Sequence, residues 1–167
     1  MERSATNGSA DLSGGRGQRD QSMSAVNLGR PTVLSTSGPY QAEYALLGCV
    51  LIDDFEVWGE LEEYPLDAED FSLPEHRAIW RAFRWLFEQG MEVTIPSTVY
   101  ALQRTGTIDA VDNWLGKHSY PGAETYLVEL SASSFSAKGS GTFIRMVKHY
   151  SNMRASRSHA KWEIEID

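Results

Sequence analysis

The spacing of apolar residues is the first regularity in the chain. After Pro39 they recur every three or four positions along most segments, which is typical of amphipathic α-helices. The clearest segment, 74–90, begins at a proline suited to the first helical turn and ends at a glycine suited to the position just past a helix end. One sector of this helix is apolar and predicts its buried side, with His76, Ile79, Trp80, Phe83, Leu86 and Phe87 as members.

Trp85 lies on the opposite side of this predicted helix. An exposed tryptophan is unfavourable in water and common at protein interfaces, where aromatic residues are enriched. Trp85 is therefore a candidate for contact with a partner. The alternative is that a neighbouring tail or helix of the same chain covers it.

The same spacing predicts six further helices, and residues 92–95 are the only strand candidate. A short connector with two glycines joins the last two helices, so we expect them to lie antiparallel as a helical hairpin. The predicted fold class is all-α. The six helices are 41–53, 55–63, 96–106, 108–115, 123–133 and 142–157.

The two ends of the chain differ from its middle. Gly and Ser supply about a third of residues 1–38, and apolar residues are too few there to offset the entropy lost when a backbone is ordered. We therefore expect a disordered tail over 1–38, one folded domain over 39–157, and a C-terminal tail over 158–167.

Charge is segregated along the chain. The net charge of −8 hides a stretch, residues 31–76, with eleven carboxylates and no lysine or arginine. Residues 138–161 carry six basic side chains and no acidic one. The usual explanation of such runs is a solvated face, and the alternative is a pair of docking surfaces with opposite preferences for partners.

The chain carries no signature of an oxidising or membrane location. Its single cysteine, Cys49, excludes an intramolecular disulfide and any cluster of thiolate ligands, which favours a reducing, cytoplasmic location. The longest nearly apolar run has nine residues, whereas a membrane span needs about 20. We expect no contact with a membrane.

The residue patterns of common catalytic sites are absent from the sequence. The only Gly-Lys pair, at 116–117, has Val111 where a phosphate-binding loop needs its first glycine and His118 where it needs a hydroxyl. The four histidines show no i, i+4 pairing that would suggest a metal site. These residues favour a helical binding or assembly module over a catalyst.

Five short motifs follow one another along the chain. They read AEYALLG at 42–48, LID at 51–53, DFS followed by PEHRAIW within 70–80, LQRTGTI at 102–108 and YLVEL at 126–130. In order and spacing they resemble the N-terminal domain of the bacterial replicative DNA helicase, the DnaB family. The resemblance covers about residues 38–157. It implies a compact helical bundle of about five helices followed by an antiparallel helical hairpin.

The resemblance also implies partners. In that family the hairpins of neighbouring subunits pair, and the N-terminal domains form a collar that receives primase and helicase-loading proteins. We therefore expect self-association, as a dimer or as a trimer of dimers within a helicase hexamer, and docking of primase and a helicase loader. The candidates for the interface with a partner are Phe143, Met146, Val147, Tyr150 and Trp85. The alternative for the first four is packing only within their own hairpin.

The motor domain of that family, which hydrolyses ATP, has no counterpart in these residues. ATP and magnesium would belong to that domain, so the resemblance implies no cofactor, no metal and no catalytic residue in this chain. The chain is then either a fragment of a helicase or a stand-alone relative.

Two rival functions remain open. The helicase-binding domain of bacterial primase resembles the same fold. A small helical DNA-binding protein would instead place basic side chains on phosphates, with an affinity that falls steeply with salt. The assembly hypothesis expects DNA binding only indirectly or weakly. The possible nucleic-acid contacts are Lys138, Arg145, Lys148, Arg154 and Arg157.

Overall fold

The computed structural model describes residues 38–134 and 136–164, with side chains up to Lys161. This part of the chain is all-α and contains no strand, which confirms the predicted fold class. A 3₁₀ turn, Ala68–Asp70, follows the second helix. None of the helices described is both long and apolar enough to cross a bilayer. The α-helices are α1 (Gly38–Ile52), α2 (Asp54–Glu63), α3 (Pro74–Glu88), α4 (Ile95–Arg104), α5 (Ile108–Lys117), α6 (Ala123–Ser133) and α7 (Ser140–Ile164).

Local capping signals set some of the helix limits. The Asp53 side chain accepts a hydrogen bond from the backbone N–H of Glu56, 3.1 Å away, and caps α2. Gly90, with φ of 66°, follows the end of α3. The strand candidate at 92–95 is wrong: Thr94 forms a capping box with Ser97 and starts α4 at Ile95. The short β-like pattern is overridden by this cap.

The last helix is longer than the apolar spacing indicates. It begins at Ser140 and continues to Ile164, seven residues beyond the predicted end at Arg157. Most of the segment predicted as a C-terminal tail is therefore helical, while 165–167 lie outside the described residues. So do residues 1–37, for which the disordered tail stays a prediction.

Helix α1 lies at the centre of the bundle. Both α6 and α7 have α1 as their main neighbour, while α3 packs on α4. A helix that is apolar on every side needs such a position, and α1 buries Ala42, Leu46, Leu47 and Val50. The two final helices are thus joined by a short connector and anchored on the same central helix.

Helix α3 buries five of the six residues predicted for its core side, and Phe87 is the exception. Its side chain is 49% exposed because it belongs to the last turn, where its ring leans on Trp58 at a centroid distance of 4.9 Å. Trp85 is half-buried and packs against Tyr100 of α4, with ring centroids 6.2 Å apart. A neighbouring helix of the same chain therefore covers much of Trp85, which is the alternative that the sequence left open.

Candidate interaction surfaces on the last helix

The inner side of α7 belongs to the core of the domain. Ile144 is fully buried and Val147 is 1% exposed, and both join the same apolar cluster as α1. Val147 cannot contact a partner while the domain is folded. Its assignment to the partner interface is corrected for that reason.

The other predicted interface residues lie beside this buried side. Phe143, Met146 and Tyr150 are half-buried, and Met153 continues the row with 38% of its surface exposed. Their spacing of three, four and three residues places them on one side of the helix. We call these four residues the apolar flank. They keep apolar surface in water along more than two helical turns.

Asp70 fastens the inner side of α7 to the rest of the fold. Its carboxylate accepts hydrogen bonds from Lys148 Nζ at 3.0 Å and from Ser151 Oγ at 2.7 Å, and Arg154 donates to its backbone oxygen. Burial raises the pKa of Asp70, but hydrogen bonds from the Asp67 backbone, Ser151 and Lys148 outweigh it and hold that pKa below its usual range. Asp70 is therefore an ionised anchor for α7.

Replacing Asp70 with alanine is expected to loosen α7 and lower the free energy of unfolding by about 2–3 kcal/mol, because Lys148 and Ser151 lose the buried carboxylate that they share. Urea unfolding followed by circular dichroism measures this loss. The exposed Asp109, in the first turn of α5, supplies the control. An Asp70→Ala protein as stable as Asp109→Ala would contradict the anchoring role.

The five basic residues proposed to contact nucleic acid do not form one surface. Lys148 and Arg154 are engaged by Asp70, and the Arg145 guanidinium lies over the Tyr64 ring, 5.4 Å from its centroid. Lys138 and Arg157 are exposed near opposite ends of the segment. A continuous track for phosphates is therefore not assembled from these side chains.

The acidic and basic stretches meet inside the fold. Helix α2 packs against the first half of α7, and the Glu60 carboxylate lies so close to Gly141 that a side chain there would collide with it. Tyr64, Pro65 and α7 border an open groove of about 400 Å³, with Glu63 at its rim. The groove is also lined by Arg145 and Lys148, so one carboxylate and two basic side chains share it and its charge is mixed.

A buried polar network joins three helices, and the sequence did not reveal it. His76 Nδ1 lies 2.8 Å from Glu43 Oε2, and Nε2 lies 2.6 Å from the Tyr126 hydroxyl. Glu43 also accepts from the backbone N–H and the hydroxyl of Ser72, each at 2.6 Å. A carboxylate only accepts, so Nδ1 of the imidazole carries a proton and donates it to Glu43.

Hydroxyl, imidazole and carboxylate in series are also the groups of a nucleophilic triad. Here Glu43, His76 and Tyr126 are all at most 1% exposed, so a substrate cannot reach the tyrosine oxygen. The network instead ties α1, α3 and α6 together. No cluster of three or more metal-ligating side chains occurs in the part of the chain that the structure describes.

Comparison with known proteins identifies related sequences and folds. A family model described as the DnaB-like helicase N terminal domain matches residues 37–149. Among solved structures, the crystal structure of the N-terminal domain of DnaB helicase from Mycobacterium tuberculosis is similar, with a TM-score of 0.63 and 20% identity over 74% of this chain and 80% of that chain. A comparison with curated proteins finds no match.

Proposed function

Because the chain belongs to the family of DnaB-like helicase N-terminal domains, we propose that it is a non-catalytic assembly and docking domain acting in DNA replication. It associates with copies of itself, as a dimer or as a trimer of dimers within a helicase hexamer. In that state it receives primase or a helicase loader.

The apolar flank of α7 is the observation that carries this proposal. Phe143, Met146, Tyr150 and Met153 leave apolar surface exposed on one side of a helix whose inner side is already packed. Such surface is commonly covered at a protein–protein interface. A specific interface buries about 1,000 Å² or more, which the 25-residue α7 is long enough to supply from both copies.

Docking of other proteins is supported by the same arrangement. The paired flanks would bring two copies of the domain into one rigid platform, and a partner bound across both copies gains from two simultaneous contacts. Charged side chains around the flank would guide encounter more than they would add affinity.

Co-sedimentation with primase tests the docking role. The chain is expected to form a larger complex with primase, or with the helicase loader, from the same organism. A fluorescent single-stranded DNA is expected to bind weakly in a parallel titration, because Lys148 and Arg154 are engaged within the domain. The DNA-binding alternative predicts the reverse, with tight binding that weakens steeply as salt rises. Tight DNA binding without any protein complex would contradict the proposal.

A further inference from the structure

The outer side of α2 is the most unusual exposed surface among the described residues. Phe55 is 86% exposed, and it is followed on the same side of the helix by Glu56, Gly59 and Glu63. Together with Glu60 these residues line a shallow, open depression of about 270 Å³. We call these five residues the α2 face. It combines one large aromatic ring, a bare stretch of backbone and three carboxylates.

Gly59 has no role in the fold of its own chain. A side chain placed there would meet nothing within 4 Å, and its backbone does not need the left-handed conformation that favours glycine. Glycine inside a helix costs about 1 kcal/mol relative to alanine. A small residue at this position does permit another backbone to come close, as at tightly packed helix pairs.

A segment near the end of α7, residues 155–161, has the opposite composition. Residues 155–161 are all exposed, so no side of this segment is packed within the described chain. We call this segment the α7 extension. It consists of the small residues Ala155, Ser156, Ser158 and Ala160, with Arg157, His159 and Lys161 and no acid. A helical segment with no packed side is marginal in water by itself.

The α2 face and the α7 extension do not pair within one molecule. Helix α2 lies beside the first half of α7, and the groove at Glu63 extends along α7 as far as Asn152. Arg157 and Lys161 follow five and nine residues later, about 7.5 and 13.5 Å further along the axis of a continuous helix. Neither basic side chain pairs with a carboxylate of the α2 face within the described part of the chain, so we assign their contact to a second molecule.

We propose that the α2 face of one copy binds the α7 extension of a second copy. The small residues of the extension fit against Phe55 and the bare backbone at Gly59. Arg157 and Lys161, one helical turn apart, pair with Glu56 and Glu63. The two surfaces are complementary in shape, because an aromatic ring meets small residues, and in charge, because carboxylates meet basic side chains.

This contact rests on the proposed assembly function and adds a second interface to it. In the proposed arrangement each copy gives its α2 face to one neighbour and its α7 extension to another. Such a contact is heterologous, so it extends an assembly instead of closing it at two copies. Combined with pairing through the apolar flank, it takes the chain beyond a dimer. The two interfaces can be removed separately, because the α2 face and the apolar flank share no residue.

Charge reversal tests the contact. One variant carries Glu56→Lys and Glu63→Lys, a second carries Arg157→Glu and Lys161→Glu, and sedimentation velocity measures the assemblies. Each variant alone is expected to stop at the flank-mediated dimer, with the contact weakened about 100-fold because like charges then face each other. An equimolar mixture of the two variants is expected to recover the larger assemblies, since every α2 face again meets an extension of opposite charge.

A control variant receives the same charge change on exposed carboxylates elsewhere, Glu92→Lys and Glu124→Lys, and is expected to assemble as the wild type does. Gly59→Leu is expected to fold at least as stably as the wild type, because leucine favours helix, yet to block the larger assemblies.

A wild type that stops at the dimer, or variants whose mixture does not recover the larger assemblies, would overturn the contact but not the proposed function. A wild type that is monomeric would overturn both.

Discussion

Replacing Glu43 with alanine is expected to lower the free energy of unfolding by about 3–5 kcal/mol. The substitution leaves the buried His76, and the backbone N–H and hydroxyl of the half-buried Ser72, without their acceptor. Domains of this size are commonly stable by only about 5–15 kcal/mol. The substitution would therefore remove much of the free energy of unfolding. Urea unfolding followed by circular dichroism measures this loss.

Two further variants make this expectation testable even if Glu43→Ala does not fold. Tyr126→Phe removes only the hydroxyl that contacts His76, and is expected to cost about 1–2 kcal/mol. Glu62→Ala, on the exposed surface of α2, is expected to change stability by less than about 0.5 kcal/mol. A Glu43→Ala domain as stable as Glu62→Ala would show that the network does not stabilise the fold.

The same network gives the domain an acid sensitivity. Burial raises the pKa of Glu43, but the hydrogen bond and charge attraction of His76, with the bonds from Ser72, hold that pKa below its usual range. A carboxyl with a lowered pKa in the folded state stabilises the fold above its unfolded pKa. That contribution is lost as pH falls through the folded value.

The pKa of Asp70 is lowered as well, so the ionised forms of both carboxyls stabilise the folded state at neutral pH. The urea midpoint is therefore expected to fall as the solution is acidified below the ordinary carboxyl pKa of about 4. The urea midpoint of Glu43→Gln should fall less steeply with pH, because glutamine has no carboxyl group to protonate. This comparison is part of the test of the Glu43 network.

The sequence predicted the helices well because their signals are local. Pro74 and Gly90 frame α3, and the apolar spacing identifies its buried side. The contact between Glu43 and His76 was missed because the two residues are 33 positions apart. In a single sequence nothing links a carboxylate within an apolar helix to a histidine on another one.

Periodicity was less informative about α7. It identified an apolar row, but it did not show which part of that row meets the core. Ser140 is fully buried, and Ser151 faces Asp70 from the inner side, so polar residues share the buried arc with Ile144 and Val147. The row therefore divides into a buried arc and the exposed apolar flank, which separates Val147 from Met146. The α7 extension carries no apolar spacing, so nothing in the sequence marked it as helical.

Disruption of the apolar flank is expected to have the largest effect on assembly. Met146 and Met153 are the members of the flank furthest from the buried arc of α7. Changing both residues to glutamate places two charges in an apolar interface. An unpaired buried charge costs about 3–5 kcal/mol. The dissociation constant of the dimer is therefore expected to rise by a factor of 100 or more, because about 1.4 kcal/mol corresponds to a tenfold change.

The matched control is Asn113→Glu with Asn152→Glu. Both residues are exposed and lie outside the flank, Asn113 on α5 and Asn152 on α7, so this variant carries the same two added charges elsewhere on the surface. Circular dichroism establishes that each variant retains its helices. A difference between the two variants then reports on the interface and not on folding.

Sedimentation equilibrium of the wild type and these two variants over a wide range of protein concentrations is the most direct test of self-association through the apolar flank. The wild type and the Asn113/Asn152 variant are predicted to form dimers or larger assemblies, while the Met146/Met153 variant is predicted to lose the flank-mediated dimer. A wild type that remains monomeric throughout, or a Met146/Met153 variant that associates as strongly as the wild type, would contradict the account.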